Sequence, residues 1–311
     1  MKAQRVVWGE TLAQLAATDD RIVVLDGDLA TSTRSDIVAE ARPEAFIEVG
    51  IAEQNLVGMA FGMSTLGYRP WLSTFGVFLT NRALDQLRML VSQTKAPVRI
   101  AAAYSGLLNG SSGKTHQDIE DLAIMRAMPN MIVIAPADEF ELAAAVRWAS
   151  GHDGPVYMRV ARDAVAPVFD EGREFRLGAP TVVREGADIT LISTGVQTSR
   201  VLDAAQLLAA DGIDARVIHL ATLKPLDEDA LWDLIGGEPH VVTVEEHTRI
   251  GGLGGLVAEL VSERGAVRLT RIGLDDRWSE SAPNDFLLDR YGLSAEKVAQ
   301  RVDACLRAPI G

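Results

Sequence analysis

Glu48-Val49-Gly50-Ile51-Ala52-Glu53-Gln54-Asn55 joins two periodicities, a β-branched run ending at Val49 and a helical stretch opening near Ala52. Phe46 to Val49 reads as a strand and Glu53 to Thr65 as a helix. The alternation recurs on both sides. Ile22 to Leu25, Pro70 to Ser73, Val98 to Ala103, Ile132 to Ala135 and Val156 to Val160 are further expected strands, with helices over Phe78 to Thr94 and Glu139 to Ala149. Short strands separated by helical periods are the pattern of βα units feeding a parallel sheet, so the expected fold class is α/β. Between Phe78 and Thr94, Leu79, Arg82, Ala83, Gln86, Leu87 and Leu90 step by three and four, which predicts one buried stripe.

Between Ala166 and Asp188 the periodicity fails, and Pro167, Gly172, Gly178, Pro180 and Gly186 fall in that interval. This places a linker over residues 169–187, between a first domain of residues 1–168 and a second of residues 188–311. Beyond it come expected strands at Thr190 to Ser193, Ala215 to Ile218, Val241 to Glu245 and Val267 to Ile272. Helices are expected near Ser199 to Ala210 and Gly254 to Arg264. The chain thus reads as two consecutive α/β domains, each with a mostly parallel sheet flanked by helices, and its 311 residues suffice for two cores.

Thirty basic against 43 acidic side chains leave a net charge of −13, and no basic run offsets it. That argues against a sequence-independent grip on nucleic acid or an anionic membrane. No apolar run approaches the ~18 residues of a membrane helix, and Met1 to Arg5 leads into an amphipathic stretch containing Glu10 rather than a signal core. Cys305 alone forms no intramolecular disulfide, and no Cys/His spacing suits zinc. A cytoplasmic protein without a metal site of its own is expected.

Three stretches carry candidate chemistry. Glu53 falls in a first helical turn at the carboxyl end of a strand, where open α/β sheets place ligand crevices. Read plainly, it is an acid complementing the helix dipole, a contribution of ~0.3 to 1 kcal/mol. Phe75 and Phe78, three apart, can form an apolar platform for a flat heterocycle or simply pack in the core. Tyr104 to Asp118 is a polar Gly/Ser loop ending beside His116, whose backbone groups need water, protein or ligand partners, and it reads as a site. Gly110 to Thr115 lacks phosphate-loop spacing, and Gly251 to Gly255 lacks the dinucleotide pattern.

Taken in order, Ile51-Ala52-Glu53-Gln54-Asn55, Ser73-Thr74-Phe75 with Phe78, and Gly113-Lys114-Thr115-His116-Gln117 resemble the transketolase family. Thr222-Leu223-Lys224-Pro225-Leu226, Val244-Glu245-Glu246-His247, Gly251-Gly252-Leu253-Gly254-Gly255, Arg271-Ile272-Gly273 and Tyr291-Gly292-Leu293 extend the resemblance over nearly all of the chain. The family's Gly-Asp-Gly followed by Asn, which holds Mg²⁺ and the cofactor diphosphate, has no counterpart; the nearest string is Asp26-Gly27-Asp28. The resemblance therefore implies the pyrimidine-binding plus C-terminal-domain subunit of a split transketolase. It implies thiamine diphosphate and Mg²⁺ as cofactors, with the metal ligands on an N-terminal-type partner subunit carrying the diphosphate-binding domain. An α2β2 heterotetramer moving a two-carbon ketol unit between sugar or sugar phosphate substrates follows from the same likeness.

By that resemblance Glu53 bonds N1′ of the aminopyrimidine, favouring the imino tautomer that removes the thiazolium C2 proton. Phe78 stacks on the pyrimidine, Phe75 lines its pocket, Asp28 lies near the cofactor, and His116 stands beside the reacting carbon. Arg162, with Arg5 and Ser32, matches the cluster for the phosphate end of the sugar. Tyr104-Ser105-Gly106 replaces the family's common His-Asp-Ser, Ser112 stands where Asp is usual, and Lys114 replaces proline and could meet an anionic substrate group. Gly58, Ala60 and Gly62 could allow close approach at a symmetric interface. Two alternatives fit the same two domains: the β-subunit of a 2-oxo acid dehydrogenase E1, and a non-catalytic scaffold subunit. A synthase condensing pyruvate with a triose phosphate is disfavoured, since such chains are normally undivided.

Overall fold

The computed structural model describes residues 1–265 and 267–307; residue 266 and residues 308–311 of the expected second domain lie outside the described residues. The described strands, in chain order, are β1 (Ile22–Asp26), β2 (Phe46–Glu48), β3 (Arg69–Phe75), β4 (Arg99–Ala103), β5 (Ile132–Ile134) and β6 (Val156–Val160). They continue with β7 (Thr181–Arg184), β8 (Ile189–Ser193), β9 (Ala215–His219), β10 (Thr222–Lys224), β11 (His240–Thr248) and β12 (Arg268–Leu274). A seven-stranded sheet runs β10-β5-β6-β4-β3-β1-β2, and a five-stranded sheet runs β12-β11-β8-β9-β7. Only β10 on β5 and β7 on β9 pair antiparallel among the described strands, in keeping with the expected α/β class. β1 and β4 are buried along their whole length, because helices cover both faces of a parallel sheet.

Three elements depart from the sequence reading. β7 lies inside residues 169–187, the stretch read as linker, and β10 reaches back from the second half to close the edge of the first sheet. The helix expected over Phe78 to Thr94 is broken into a helix Gly76–Asn81, a short turn Leu84–Gln86 and a π-helical turn Leu87–Ser92. Its first break coincides with an i→i−5 bond from the Ala83 N–H to the Phe78 carbonyl, 3.3 Å. Leu79, Ala83 and Leu87 are buried as the stripe predicts, but Arg82 turns out of it.

The two halves share one core. A single apolar cluster runs from Leu25, Leu72 and Ile100 through Met125 and Val133 to Leu223, Ile218 and Val257. A buried polar lock joins them as well. Glu141, on the helix Glu139–Gly151, meets His219 Nε2 of β9 at 2.7 Å and Arg173 at 3.2 Å, and accepts the Ala137 N–H at 2.9 Å. Burial pushes this carboxyl up, but His219 and the hydrogen bonds outweigh it and hold Glu141 below the usual range. The same helix is capped by Asp138, which accepts the Phe140 and Glu141 N–H groups.

Candidate functional site

Chain order reverses at β1, which pairs with β2 on one side and β3 on the other. The carboxyl ends of strands at such a switch point form the crevice of an open α/β sheet. Register does the rest: Phe75 pairs with Ala103 and Ala103 with Val160. Tyr104, the next residue, and Arg162, two past Val160, therefore emerge just beyond Phe75 at the same edge. After β1, the Asp26 carboxylate accepts the Leu29 N–H and the Thr33 and Ser35 hydroxyls, shaping the turn that carries Asp28 and Ser32.

An aromatic cluster lines this edge. The Phe75 and Phe78 rings lie 5.7 Å apart, Tyr104 stacks on Phe75 at 4.3 Å, and the His116 ring stands edge-on to both phenylalanines at 6.0 and 5.4 Å. Tyr104 adopts φ 62°, a left-handed conformation costly for a bulky side chain and characteristic of functional sites. Its hydroxyl accepts from Arg5 Nη1 at 2.9 Å and donates to the Ser32 carbonyl at 3.1 Å. Arg5 Nε in turn donates to the Arg162 carbonyl. The Arg5 and Arg162 guanidinium carbons lie 5.6 and 5.5 Å from the Tyr104 ring, and Arg162 Nε is buried without a hydrogen-bond partner. Two cations sharing one aromatic ring, one with an unspent donor, make a setting for an anionic group.

Glu53 opens the helix Glu53–Thr65 and is 5% exposed. Its Oε1 accepts from Arg82 Nη1 at 2.9 Å, and the Arg82 guanidinium lies 4.0 Å over the Phe78 ring. A cleft of about 460 Å³ opens there, lined by Ala52, Glu53, Gln54, Asn55 and Arg82. The structure thus gathers Phe75, Phe78, Tyr104 and His116, gathers Arg5, Ser32, Tyr104 and Arg162, and links Glu53 to Phe78 through Arg82. Asp28 stays outside these contacts, exposed at φ 66° with its N–H given to Glu48. Ser112 is exposed and bonds Asn109, and Lys114 is exposed. Gly58 and Gly62 face open space, whereas Ala60 is buried.

The loop bearing His116 is held from the second half of the chain. Glu246 Oε1 accepts the Leu107 and Leu108 N–H groups at 2.7 and 3.2 Å, while its Oε2 is held by Arg200 at 2.9 Å. Asn284 accepts the Gly110 N–H at 2.9 Å and donates to the Leu108 carbonyl and to Asp163. Gly106, at φ +83°, has to be glycine, since a Cβ there would stand 2.4 Å from Glu246 Oε1. Ser279 adds a bond to Gln117. Sequence reasoning missed Arg82, Glu246 and Asn284. For Arg82 a signal existed, an arginine four residues after Phe78 on one helical face.

Beside this clamp, Glu245 and His247 are fully buried 3.6 Å apart. Burial pushes Glu245 up to about 7 despite the Leu253 and Gly254 N–H groups it accepts, and pushes His247 down to about 4. The neutral His247 accepts the Ala123 N–H at Nε2 and donates from Nδ1 to the Thr248 carbonyl. Glu245 contributes stability fully present below its ordinary 4.5 and lost as pH rises to about 7; His247 contributes stability present above 6.5 and lost as pH falls to about 4. Each amounts to roughly 3 kcal/mol, with opposite slopes that largely offset each other within the pair. In Glu245→Gln, urea denaturation should therefore show stability rising by roughly 3 kcal/mol more than that of the native chain between pH 4 and 6.5. A profile that runs parallel to that of the native chain would refute the balance.

Among the described residues no helix is long and apolar enough to cross a membrane, and no three His, Cys, Asp or Glu side chains converge to hold a metal ion. Comparison with known sequences shows that the chain belongs to the transketolase family. The model described as Transketolase, pyrimidine binding domain, matches residues 1–167, and that described as Transketolase, C-terminal domain, matches residues 178–298. The family depends on thiamine diphosphate. A protein of Methanocaldococcus jannaschii, provisionally named a transketolase C-terminal section, is 40% identical over 97% of this chain and 95% of its own length. The 6-deoxy-6-sulfo-D-fructose transketolase subunit SqwH of Clostridium sp. (strain MSTE9) is 36% identical over 95% of this chain and 92% of its own. A solved structure described as a split gene transketolase, inactive beta4 tetramer, superposes with TM-score 0.91 at 43% identity, covering 98% of this chain and 99% of that one.

Proposed function

We propose that this chain is the pyrimidine-holding subunit of a two-component, thiamine diphosphate-dependent transketolase that moves a two-carbon ketol unit between sugars bearing an anionic end. The observation that carries the reading is a nearly buried Glu53 joined through Arg82 to the Phe78 ring, itself 5.7 Å from Phe75, at the switch-point crevice. Thr74 Oγ1, buried without a partner next to Gly27 in the same crevice, is a further polar atom awaiting one. These residues fit a flat, hydrogen-bonding heterocycle. Bound there, thiamine diphosphate supplies a carbon acid at C2 that accepts and releases the ketol unit.

The protein's part is positional and electrostatic. Glu53 offers its carboxyl to N1′, so that one proton can be shared between the carboxyl and the ring nitrogen. Phe78 supplies the stacking face and Phe75 the floor. His116, edge-on to both rings, donates to donor-sugar hydroxyls. Arg162, whose Nε is unspent, takes the anionic terminus, while Arg5, fixed by the Ser32 carbonyl and the Tyr104 hydroxyl, adds its charge beside it. That terminus is a phosphate or, as the name of the Clostridium relative suggests, a sulfonate. Asp28, Ser112 and Lys114 border the path by which the partner and the sugar arrive. The domains are assigned as residues 1–168 and 188–311, joined through 169–187.

Mg²⁺ and the diphosphate are assigned to the partner subunit, which the words section, subunit and split gene in the relatives' names support. Ketol transfer should then require both components, and light scattering of the active pair should give an α2β2 mass. Turnover by this chain alone, or full activity in a 1:1 heterodimer, would refute the arrangement. On the same reading Asn284→Ala, which frees the His116 loop, should lower kcat/KM for the ketose donor about tenfold, or ~1.4 kcal/mol, with thiamine diphosphate affinity unchanged. Equal losses in cofactor binding and turnover would mean that Asn284 merely holds the fold together.

A further inference from the structure

Arg82 makes two contacts at once. It donates to Glu53 Oε1 at 2.9 Å and lays its guanidinium 4.0 Å over the Phe78 ring. A guanidinium is a planar N–C–N fork that stacks on aromatic faces and donates to carboxylates. Those are the two contacts assigned above to the aminopyrimidine: stacking on Phe78 and a hydrogen bond with Glu53. We propose that Arg82 is a surrogate for the aminopyrimidine, occupying its place in the free subunit and leaving when the cofactor is loaded. This inference rests on the thiamine diphosphate reading and says what that site contains beforehand.

The geometry explains why such a residue is needed. Glu53 is 5% exposed, and a buried carboxylate without a partner is costly. Arg82 supplies that partner from the rim, with its own side chain 51% exposed. Its carbonyl accepts from Gln54 Nε2 at 3.1 Å, so the backbone is pinned and only the side-chain torsions need change for the guanidinium to swing into solvent. The exchange keeps Glu53 hydrogen-bonded but changes the direction of the bond: the guanidinium N–H donates to the carboxylate, whereas N1′ is an acceptor, so loading the pyrimidine brings one proton from solvent onto the Glu53–N1′ pair. It also sets a threshold. If the closed form outweighs the open one by about ten to one, the apparent affinity for the pyrimidine falls about tenfold.

The full chain tests this with a neutral probe, 4-amino-5-hydroxymethyl-2-methylpyrimidine. Removing a cation cannot draw this probe in electrostatically, as it would thiamine itself. Titration is followed by saturation-transfer NMR and by the amide shifts of Glu53 and Phe78. Arg82→Met keeps the stem and removes the fork, and should bind the probe about tenfold more tightly than the native chain. Arg82→Lys reaches Glu53 but has no plane to lay on Phe78, so it should fall between them; it also carries the test if Arg82→Met fails to fold. Phe78→Ala should abolish the gain. Equal or weaker binding by Arg82→Met, with the native chain binding at Phe78, would overturn the proposal and leave the cofactor site standing. A probe that binds neither protein, or binds without moving Phe78, would sink the site reading and this proposal with it.

Discussion

Glu53→Gln is expected to lower turnover of the reconstituted enzyme about 10³-fold, which corresponds to ~4 kcal/mol of transition-state stabilisation. Glutamine preserves the volume at the head of the helix and still hydrogen-bonds, so little packing is lost. It cannot share an ionisable proton with N1′. Arg82 loses its carboxylate but is half exposed, and water solvates it. Were Glu53 only an acid in a first helical turn, the change would cost under ~1 kcal/mol of stability and leave the rate almost untouched. The direct measurement is exchange of the C2 proton of thiamine diphosphate in the reconstituted complex. Unchanged exchange in Glu53→Gln would end its assignment to catalysis.

The second large effect is on stability. Glu141→Ala should destabilise the chain by about 3–5 kcal/mol, because it strands His219, Arg173 and the Ala137 N–H, groups that all meet one carboxylate. Glu141→Gln, which still accepts the Ala137 N–H, should cost less. Glu141 is held below its ordinary 4.5, so its contribution is present above that pH and is lost as pH falls further. Urea denaturation of the two variants at pH 7 and pH 4 checks both statements. A loss of under ~1 kcal/mol for Glu141→Ala at pH 7 would mean that this lock adds little to the joining of the halves.

Local periodicity made most elements legible. The helix Glu53–Thr65 begins and ends where its pattern does, and β6 spans the stretch read as its strand. What stayed hidden was non-local. β7 and β10 have only four and three residues and owe their existence to the neighbours they pair with, β9 and β5. The break after Asn81 follows from a backbone bond that skips a register, which side-chain spacing does not encode. At the site, Phe75, Phe78 and His116 could be named from motifs, and the structure sets them within 6.0 Å of one another. Glu246 and Asn284 lie more than a hundred residues from the loop they hold, so only the folded chain shows them acting on it. Asp28, placed near the cofactor by the resemblance, is exposed and gives its N–H to Glu48, a partner twenty residues on that spacing does not reveal.

The pairing of β10 with β5 also bears on synthesis. Ile132, Val133 and Ile134 leave the ribosome with their outer edge unpaired, and the strand that covers it lies in residues 222–224. At ~5–20 residues per second, the roughly 90 intervening residues take about 5 to 20 seconds to appear. During that interval the nascent chain presents a short, wholly apolar sheet edge, the kind of template on which foreign strands add. The same edge would be laid bare by any cut made between the two halves, so a fragment stopping at residue 187 should associate through β5 rather than remain a well-behaved domain.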